Sequence, residues 1–208
     1  MRPSFTAPGL AALWLVVASP IAHLNHYLLT AHMVQHLILM LLAAPLILLG
    51  APRVATQWHP HPAFCWLAGT LTVIIWHVPA VFQLSLRSHV WHEFEQATFF
   101  IAGILFWWPV IRPAPGSLSS RWSVPLYLFF ATFPCDALSA FLTFCGRVVY
   151  QHYLTGGAHF RLSPLDDQAL AGALMWVTVT FAYLVPALVV TSHLLSGERD
   201  PSAQVGAY

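Results

Sequence analysis

The chain has 208 residues, 58% of them hydrophobic and only 7% charged, and its formal net charge is +1. This composition argues against a nucleic-acid partner and against a polybasic patch for lipid headgroups. The apolar runs are too long and too numerous for one soluble core of this length, so they predict a protein of the lipid bilayer.

The apolar runs predict a single integral membrane domain over residues 1–208. The fold class expected is all-α, a polytopic transmembrane helix bundle of about six spans. In chain order these spans cover about residues 10–22, 28–50, 63–87, 89–111, 122–146 and 167–195. Helices are expected because backbone groups in lipid must be satisfied within each segment, and no alternating barrel pattern is present. Internal prolines predict kinks at Pro79, Pro109, Pro125, Pro134 and Pro186.

The first span has two interpretations. Arg2, a brief apolar stretch and the small residues Ala18 and Ser19 are also typical of a signal peptide. A retained short helix is the favoured interpretation. In both cases the second span enters the membrane from the outer face.

Charge and histidine placement predict the orientation. An even number of spans puts both termini on one face, and the arginines assigned to that face are Arg2, Arg53, Arg112, Arg121 and Arg199. The opposite face holds Arg87, Arg147 and Arg161. This weak positive-inside bias predicts that both termini lie in the cytoplasm. Most of the 12 histidines then fall in the outer half.

The sharpest local signal is the segment His32-Met33-Val34-Gln35-His36. Residues four apart share one helical face, and Met40 extends that face by another turn. Neutral imidazole with a soft thioether suits copper, and Cu(I) in particular. The alternative is a pair of core histidines hydrogen-bonded across helices, with Met40 filling a gap.

Three helices deliver polar or sulfur groups to a similar depth. His36, His77, Cys135 and Asp136 are all expected roughly 12–16 Å below the outer surface, at about 1.5 Å per residue. A carboxylate inside a span is costly unless it is paired, protonated or functional, so Asp136 is a candidate ligand or partner of a ligand. Cys135 is more readily explained as a small apolar residue.

The start of the fourth span carries a polar stripe of His89, His92, Glu93 and Gln96, with Glu95 beside it. Imidazole and carboxylate at this spacing could bind a metal or orient its ligands. An interfacial helix end with acidic groups near its N-terminus explains the stripe equally well.

The last span opens with Ser163, Asp166 and Asp167. Helix capping accounts for one carboxylate and leaves the other, taken as Asp167, available to the outer site. The complete set of predicted metal ligands is His32, Met33, His36, Met40, His77, His89, His92, Asp136 and Asp167.

The sequence lacks the motifs of several enzyme classes. The sequence has no glycine-rich phosphate loop, no nucleophile elbow and no HExxH, so no enzyme activity is expected. The three cysteines form no CxxC pair, so a disulfide framework and a zinc knuckle are also unexpected.

The chain resembles the CtaG-type membrane proteins, which are assembly factors for bacterial cytochrome c oxidases. The resemblance rests on HMVQHLILMLLAAPLILLGAP (32–52), the segment 76–111 that begins WHVPAVF, FLTFCGRVVYQHY (141–153) and SPLDDQALAGALMWV (163–177). Ala169 departs from the family, in which a second glutamine follows the aspartate and glutamine that match Asp167 and Gln168.

The resemblance implies an inner-membrane factor that holds or delivers copper for a haem-copper oxidase. Its implied partners are the oxidase subunits and a periplasmic copper chaperone. The residues that match the family's motifs are His32, Met33, His36, His77, His89, His92, Asp167 and Gln168. Three other functions stay open: a b-type haem electron carrier, a copper or solute transporter, and a structural scaffold for oxidase subunits.

Overall fold

A computed structural model describes residues 3–18, 20–52, 59–113, 122–154 and 160–198. In this part of the chain every regular element is a helix, so the predicted all-α fold is confirmed. The α-helices are α1 (Pro3–Val17), α2 (Leu29–Leu37), α3 (Ala44–Gly50), α4 (Pro62–His77), α5 (Pro79–Arg87), α6 (His89–Ile111), α7 (Ser123–Phe144) and α8 (Pro164–Glu198). Two short 3-10 helices cover Pro20–His26 and Gln151–Leu154.

Four of the described helical segments are long and apolar enough to cross a bilayer: Leu29–Gly50, His89–Ile111, Ser123–Phe144 and Pro164–Ser196. The first of these joins α2 and α3 through a π-helical stretch, Ile38–Ala43. The predicted first span is displaced, because α1 runs over Pro3–Val17 and a 3-10 helix follows it. Of the residues behind the signal-peptide alternative, Arg2 and Ser19 lie outside the described ranges.

The predicted third span is broken in two. α4 and α5 meet at an angle of 78°, and together they form a broken span or a re-entrant loop. Val78 separates them with φ −65° and ψ 124°. Pro79 is the cause, because its ring disfavours helical geometry at the preceding residue and it has no N–H to continue the ladder.

The other predicted kinks do not interrupt their helices. Pro109, Pro134 and Pro186 lie inside α6, α7 and α8, which are continuous through them. Pro125 lies in the first turn of α7, where a missing N–H costs little.

Small residues let the helices approach closely. A Cβ on Gly103 of α6 would lie 2.9 Å from the Cα of Met40, and one on Gly172 of α8 would lie 2.8 Å from the backbone nitrogen of Thr143 on α7. α7 packs along α8, α4 against α6, and α2 against α8. Such contacts between small residues are the usual means of helix association in lipid.

The outer surface of the bundle is apolar. Phe133, Phe141, Phe181 and Leu188 are 53–66% exposed, whereas Leu39, Phe99 and Leu128 fill the interior. Large exposed apolar side chains are stable in hydrocarbon, so this surface fits a multi-pass membrane protein.

One end of the bundle, which we term the histidine end, gathers the starts of α2, α6 and α8. The 3-10 helix Pro20–His26 packs near α6, and the ring centroid of His26 lies 5.8 Å from that of His92. Asp167 at the start of α8 bonds to the first residues of α2. Four of the arginines behind the predicted orientation lie outside the described residues: Arg2, Arg53, Arg121 and Arg199. His159, one of the histidines assigned to the outer half, also lies outside them.

Candidate metal centre

A cluster of imidazoles surrounds one carboxylate at the histidine end. α2 contributes His32 and His36, which share a face because they are four residues apart. α6 contributes His92 and Glu95, which share a face because they are three apart. All four side chains are buried, and Glu95 and His32 are completely inaccessible, each with 0% exposure.

Glu95 is the centre of the cluster. Its Oε1 lies 3.4 Å from Nε2 of His32 and 3.5 Å from Nε2 of His36, and its Oε2 lies 3.4 Å from Nδ1 of His92. One ligand atom from each of His32, His92 and Glu95 can be chosen so that all lie within 4.8 Å of one another. Such a group could hold a metal ion, because histidine and carboxylate are common transition-metal ligands.

A chain of amide groups fixes the tautomer of His92. The Gln35 amide nitrogen donates to the carbonyl of Val16, which leaves its oxygen to accept from Asn25 at 2.8 Å. The same Asn25 nitrogen lies 2.8 Å from Nε2 of His92, and Gln96 also contacts this ring nitrogen. Since two amide donors face Nε2, it is the lone-pair nitrogen, and Nδ1 carries the proton on the side of Glu95.

Several buried polar atoms of the cluster have no hydrogen-bond partner. They include Nδ1 of His32, both ring nitrogens of His36 and Oε2 of Glu95. A buried donor or acceptor without a partner costs about 1–3 kcal/mol. The unpaired atoms therefore indicate that the cluster is built to contact a further group.

A second, softer set of donors lies next to the cluster. Nδ1 of His77 bonds to the carbonyl of Val73 at 2.7 Å, so its Nε2 is the lone-pair nitrogen. That Nε2 lies 3.3 Å from the sulfur of Met33. Two soft donor atoms thus face each other with no hydrogen between them, an arrangement suited to Cu(I).

These soft donors line a small cavity of about 30 Å³, which is enough room for a water-sized group. Its donor-bearing lining consists of Met33, Met40, Met175, Cys135, His36 and His77. The rest of the lining is mainly aliphatic and aromatic. The cavity therefore has room for an ion or a water molecule, and half of its lining residues carry sulfur or imidazole.

The structure brings together most of the predicted ligands but separates three of them. His32, Met33, His36, His77 and His92 lie in or beside the cluster, and Met40 lines the cavity. His89 does not join them: its side chain is 83% exposed and pairs with Glu93 at 3.2 Å.

The two predicted aspartates have other partners. Asp136 is half-buried and accepts a hydrogen bond from Thr180 on α8, whereas its neighbour Cys135 lines the cavity. Asp167 accepts from the backbone N–H groups of Leu29 at 2.7 Å and Thr30 at 3.1 Å. It is buried, and it caps α2 from the start of α8.

We expect Asp167→Ala to lower the free energy of unfolding by about 1–3 kcal/mol, because two N–H groups at the start of α2 lose their acceptor. Thermal unfolding of the detergent-purified protein measures this. Asp166→Ala is the matched control, since Asp166 is exposed and bonds to Ser163 within its own helix cap. A variant with unchanged thermal stability would contradict a capping role for Asp167.

Glu95 has no role of its own among the residues predicted from the sequence, and Asn25 is not among them. The helical periodicity of α6 is the feature of the sequence that could have placed Glu95 on the buried face. His92, Glu95, Phe99 and Phe106 recur at spacings of three, four and seven residues and are all buried, whereas Glu93 falls on the exposed face. Asn25 carries no comparable signal, because its position depends on how the 3-10 helix folds back onto α6.

Sequence comparisons with known proteins identify the family of this chain. The model of the cytochrome c oxidase caa3 assembly factor family (Caa3_CtaG) matches residues 3–196. The chain is similar to the uncharacterized protein Mb0105 of Mycobacterium bovis and to the uncharacterized protein MT0111 of Mycobacterium tuberculosis. It is 26% identical to each over 200 residues, which cover 81% of this chain and 30% of the relative.

The uncharacterized protein ML1998 of Mycobacterium leprae is 23% identical over 220 residues, covering 90% of this chain and 32% of the relative. The chain thus spans about a third of the length of these curated relatives. No solved structure matches it. Because the family model covers nearly all of the sequence, the chain belongs to the cytochrome c oxidase caa3 assembly factor family.

Proposed function

We propose that this protein holds copper, as Cu(I), for insertion into a cytochrome c oxidase. The observation that supports this most directly is the buried group of His32, His92 and Glu95, with unpaired lone pairs on its members. Copper is the cargo in this proposal rather than a resident cofactor. The protein acts as an assembly factor and not as an enzyme.

The charge of the cluster favours a monovalent ion. Among its described members Glu95 is the acid, and the imidazoles bind metal in their neutral form. One carboxylate and one Cu(I) ion sum to zero, whereas Cu(II) or Zn(II) would leave a net positive charge in the protein interior. An uncompensated buried charge is expensive, so the site discriminates against divalent ions.

The adjacent soft donors favour the same ion. Met33 and His77 face each other at 3.3 Å, and Met40, Met175 and Cys135 line the cavity beside them. Thioether and thiol groups prefer Cu(I) over magnesium, calcium or manganese. The bound ion would therefore have two adjacent binding sites, one with the oxygen and nitrogen ligands of the cluster around Glu95 and one with the sulfur groups of the cavity.

The donors lie near one end of the bundle, which fits delivery at a membrane surface. We place the histidine end toward the periplasm and both termini in the cytoplasm of a bacterial inner-membrane protein. The copper donor would then be a periplasmic chaperone and the acceptor an oxidase subunit exposed on the same side.

The arrangement of the imidazoles argues against the haem alternative. The rings of His32 and His36 are 4.4 Å apart, and those of His36 and His77 are 6.5 Å apart. Axial ligands of haem bind opposite faces of a macrocycle, whereas the cavity beside His36 and His77 has a volume of only about 30 Å³. Transport across the membrane is also disfavoured, because the described cavity is lined deeper down by Leu41, Val73 and Val179.

Metal analysis of the detergent-purified protein tests the proposal. After anaerobic loading with Cu(I) and removal of excess metal, we expect copper in proportion to protein, little zinc after parallel loading with Zn(II), and no Soret band. Protein that retains no copper would refute the proposal, and a Soret band would favour the haem alternative.

A further inference from the structure

Five imidazole rings stand in series from the surface to the cavity. The ring centroids of His26 and His92 are 5.8 Å apart, those of His92 and His32 are 5.6 Å apart, and those of His32 and His36 are 4.4 Å apart. His36 and His77 follow at 6.5 Å. We call these five residues the histidine ladder.

The ladder has one exposed end. His26 is exposed, whereas the other four residues are each no more than 6% exposed. The 3-10 helix Gln151–Leu154 holds His26 in position. Nε2 of His152 lies 3.3 Å from the His26 carbonyl, and the Tyr153 hydroxyl donates to the carbonyl of Asn25 at 2.8 Å. Partial burial and the neighbouring imidazoles lower the pKa of His26.

The step from surface to interior passes through His92. Its Nε2 carries the lone pair and is covered by the side-chain amides of Asn25 and Gln96. Side-chain amides can rotate aside without breaking the helix backbone. On the inner side of the same ring, Glu95 lies within 3.5 Å of a nitrogen of His92, His32 and His36 in turn.

We propose that the histidine ladder is the loading route, along which a monovalent copper ion enters at His26 and moves to the soft donors His77 and Met33. This rests on the proposed function. In each step one copper–nitrogen bond forms as the preceding one breaks, and the oxidation state and total charge stay constant. Glu95 compensates the ion in the middle of the route. Closely spaced weak sites of this kind let an ion both enter and leave.

The route predicts that His26 controls rates rather than affinity. We expect His26→Ala to slow Cu(I) uptake by at least about tenfold, and release by the same factor, without changing the equilibrium dissociation constant. Uptake is measured anaerobically in detergent, by stopped-flow, as the loss of colour from a Cu(I)–bicinchoninate complex. Equilibrium affinity is measured by competition with the same chelator.

Two further variants separate a ligand role from a structural one. His26→Cys supplies a different Cu(I) ligand at the same position, so it should restore fast uptake if His26 acts as a ligand. His89→Ala is the matched control, because His89 is an exposed histidine at the same end and lies outside the ladder. Its uptake rate should equal that of the unmodified protein.

The outcomes distinguish the route from the function. Uptake by His26→Ala at the unmodified rate would overturn the route while leaving copper binding intact. A loss of equilibrium affinity in His26→Ala, or a slow His26→Cys variant, would also overturn it. Failure of the unmodified protein to bind Cu(I) would refute the proposed function itself.

Discussion

Glu95→Gln is expected to weaken Cu(I) binding by at least about 100-fold, or about 2.8 kcal/mol. The amide keeps the size of the side chain but removes the negative charge that neutralises the ion in a fully buried cluster. The same change should leave the copper-free protein at least as stable as before, because a buried charge with an unpaired Oε2 is removed. Anaerobic competition titration and thermal unfolding measure the two effects.

The prediction is specific because Glu95→Gln should weaken Cu(I) binding without lowering the stability of the copper-free protein. Glu93→Gln is the control, since Glu93 lies on the same helix, is 63% exposed and pairs with His89. We expect it to change neither quantity. If Glu95→Gln bound Cu(I) as tightly as the unmodified protein, the carboxylate would not serve as the counter-charge. If it instead unfolded the copper-free protein, Glu95 would be a structural residue.

Replacing both His32 and His36 is expected to have the largest effect in cells. His32→Ala with His36→Ala removes both imidazoles that α2 presents to Glu95, so copper retained by the purified protein should fall to background. In a bacterium that depends on this protein for its oxidase, cytochrome c oxidase activity of isolated membranes should fall with it. The paired Asn substitutions serve as a second version, because they leave a smaller cavity.

The control for this experiment is His193→Ala, an exposed histidine on α8. It should retain copper and support oxidase assembly. Full oxidase activity with the double variant would mean that the cluster does not supply copper to the enzyme. Loss of the double variant from the membrane would be recognised by immunoblotting, and the Asn pair would then be compared at equal protein level.

The fold class could be predicted from the sequence because it depends on quantities that the sequence contains directly. The length and apolar content of these runs require membrane helices, and four described helical segments are long and apolar enough to cross a bilayer. Pro79 was recognised as a source of bending, but the size of the bend, 78°, depends on how α5 packs against α6. Sequence alone gives no such contact.

The candidate site was only partly predictable for a related reason. The four-residue spacing of His32 and His36 fixes a shared face. Depth along the helices places His36, His77 and Cys135 at one level, and in the structure they line one cavity. The depth of a residue along its helix does not specify which way its side chain points around the helix axis. Asp136 lies at the expected depth, but its side chain bonds to Thr180. On α6, only the helical periodicity distinguishes the buried Glu95 from the exposed Glu93.

The π-helical stretch Ile38–Ala43 sets a limit on how the second span can vary. In a regular α-helix every fourth residue drifts by about 40° around the axis. The wider turn reduces this drift, so that His36, Met40 and Ala44 all reach α6, and the indole of Trp107 bonds to the Met40 carbonyl at 3.1 Å. Exchanging one aliphatic side chain for another in this stretch changes little, but deleting a single residue would close the wide turn into an ordinary α-helical turn and shift Met40 on the face that contacts α6. Its length is therefore more tightly constrained than its composition.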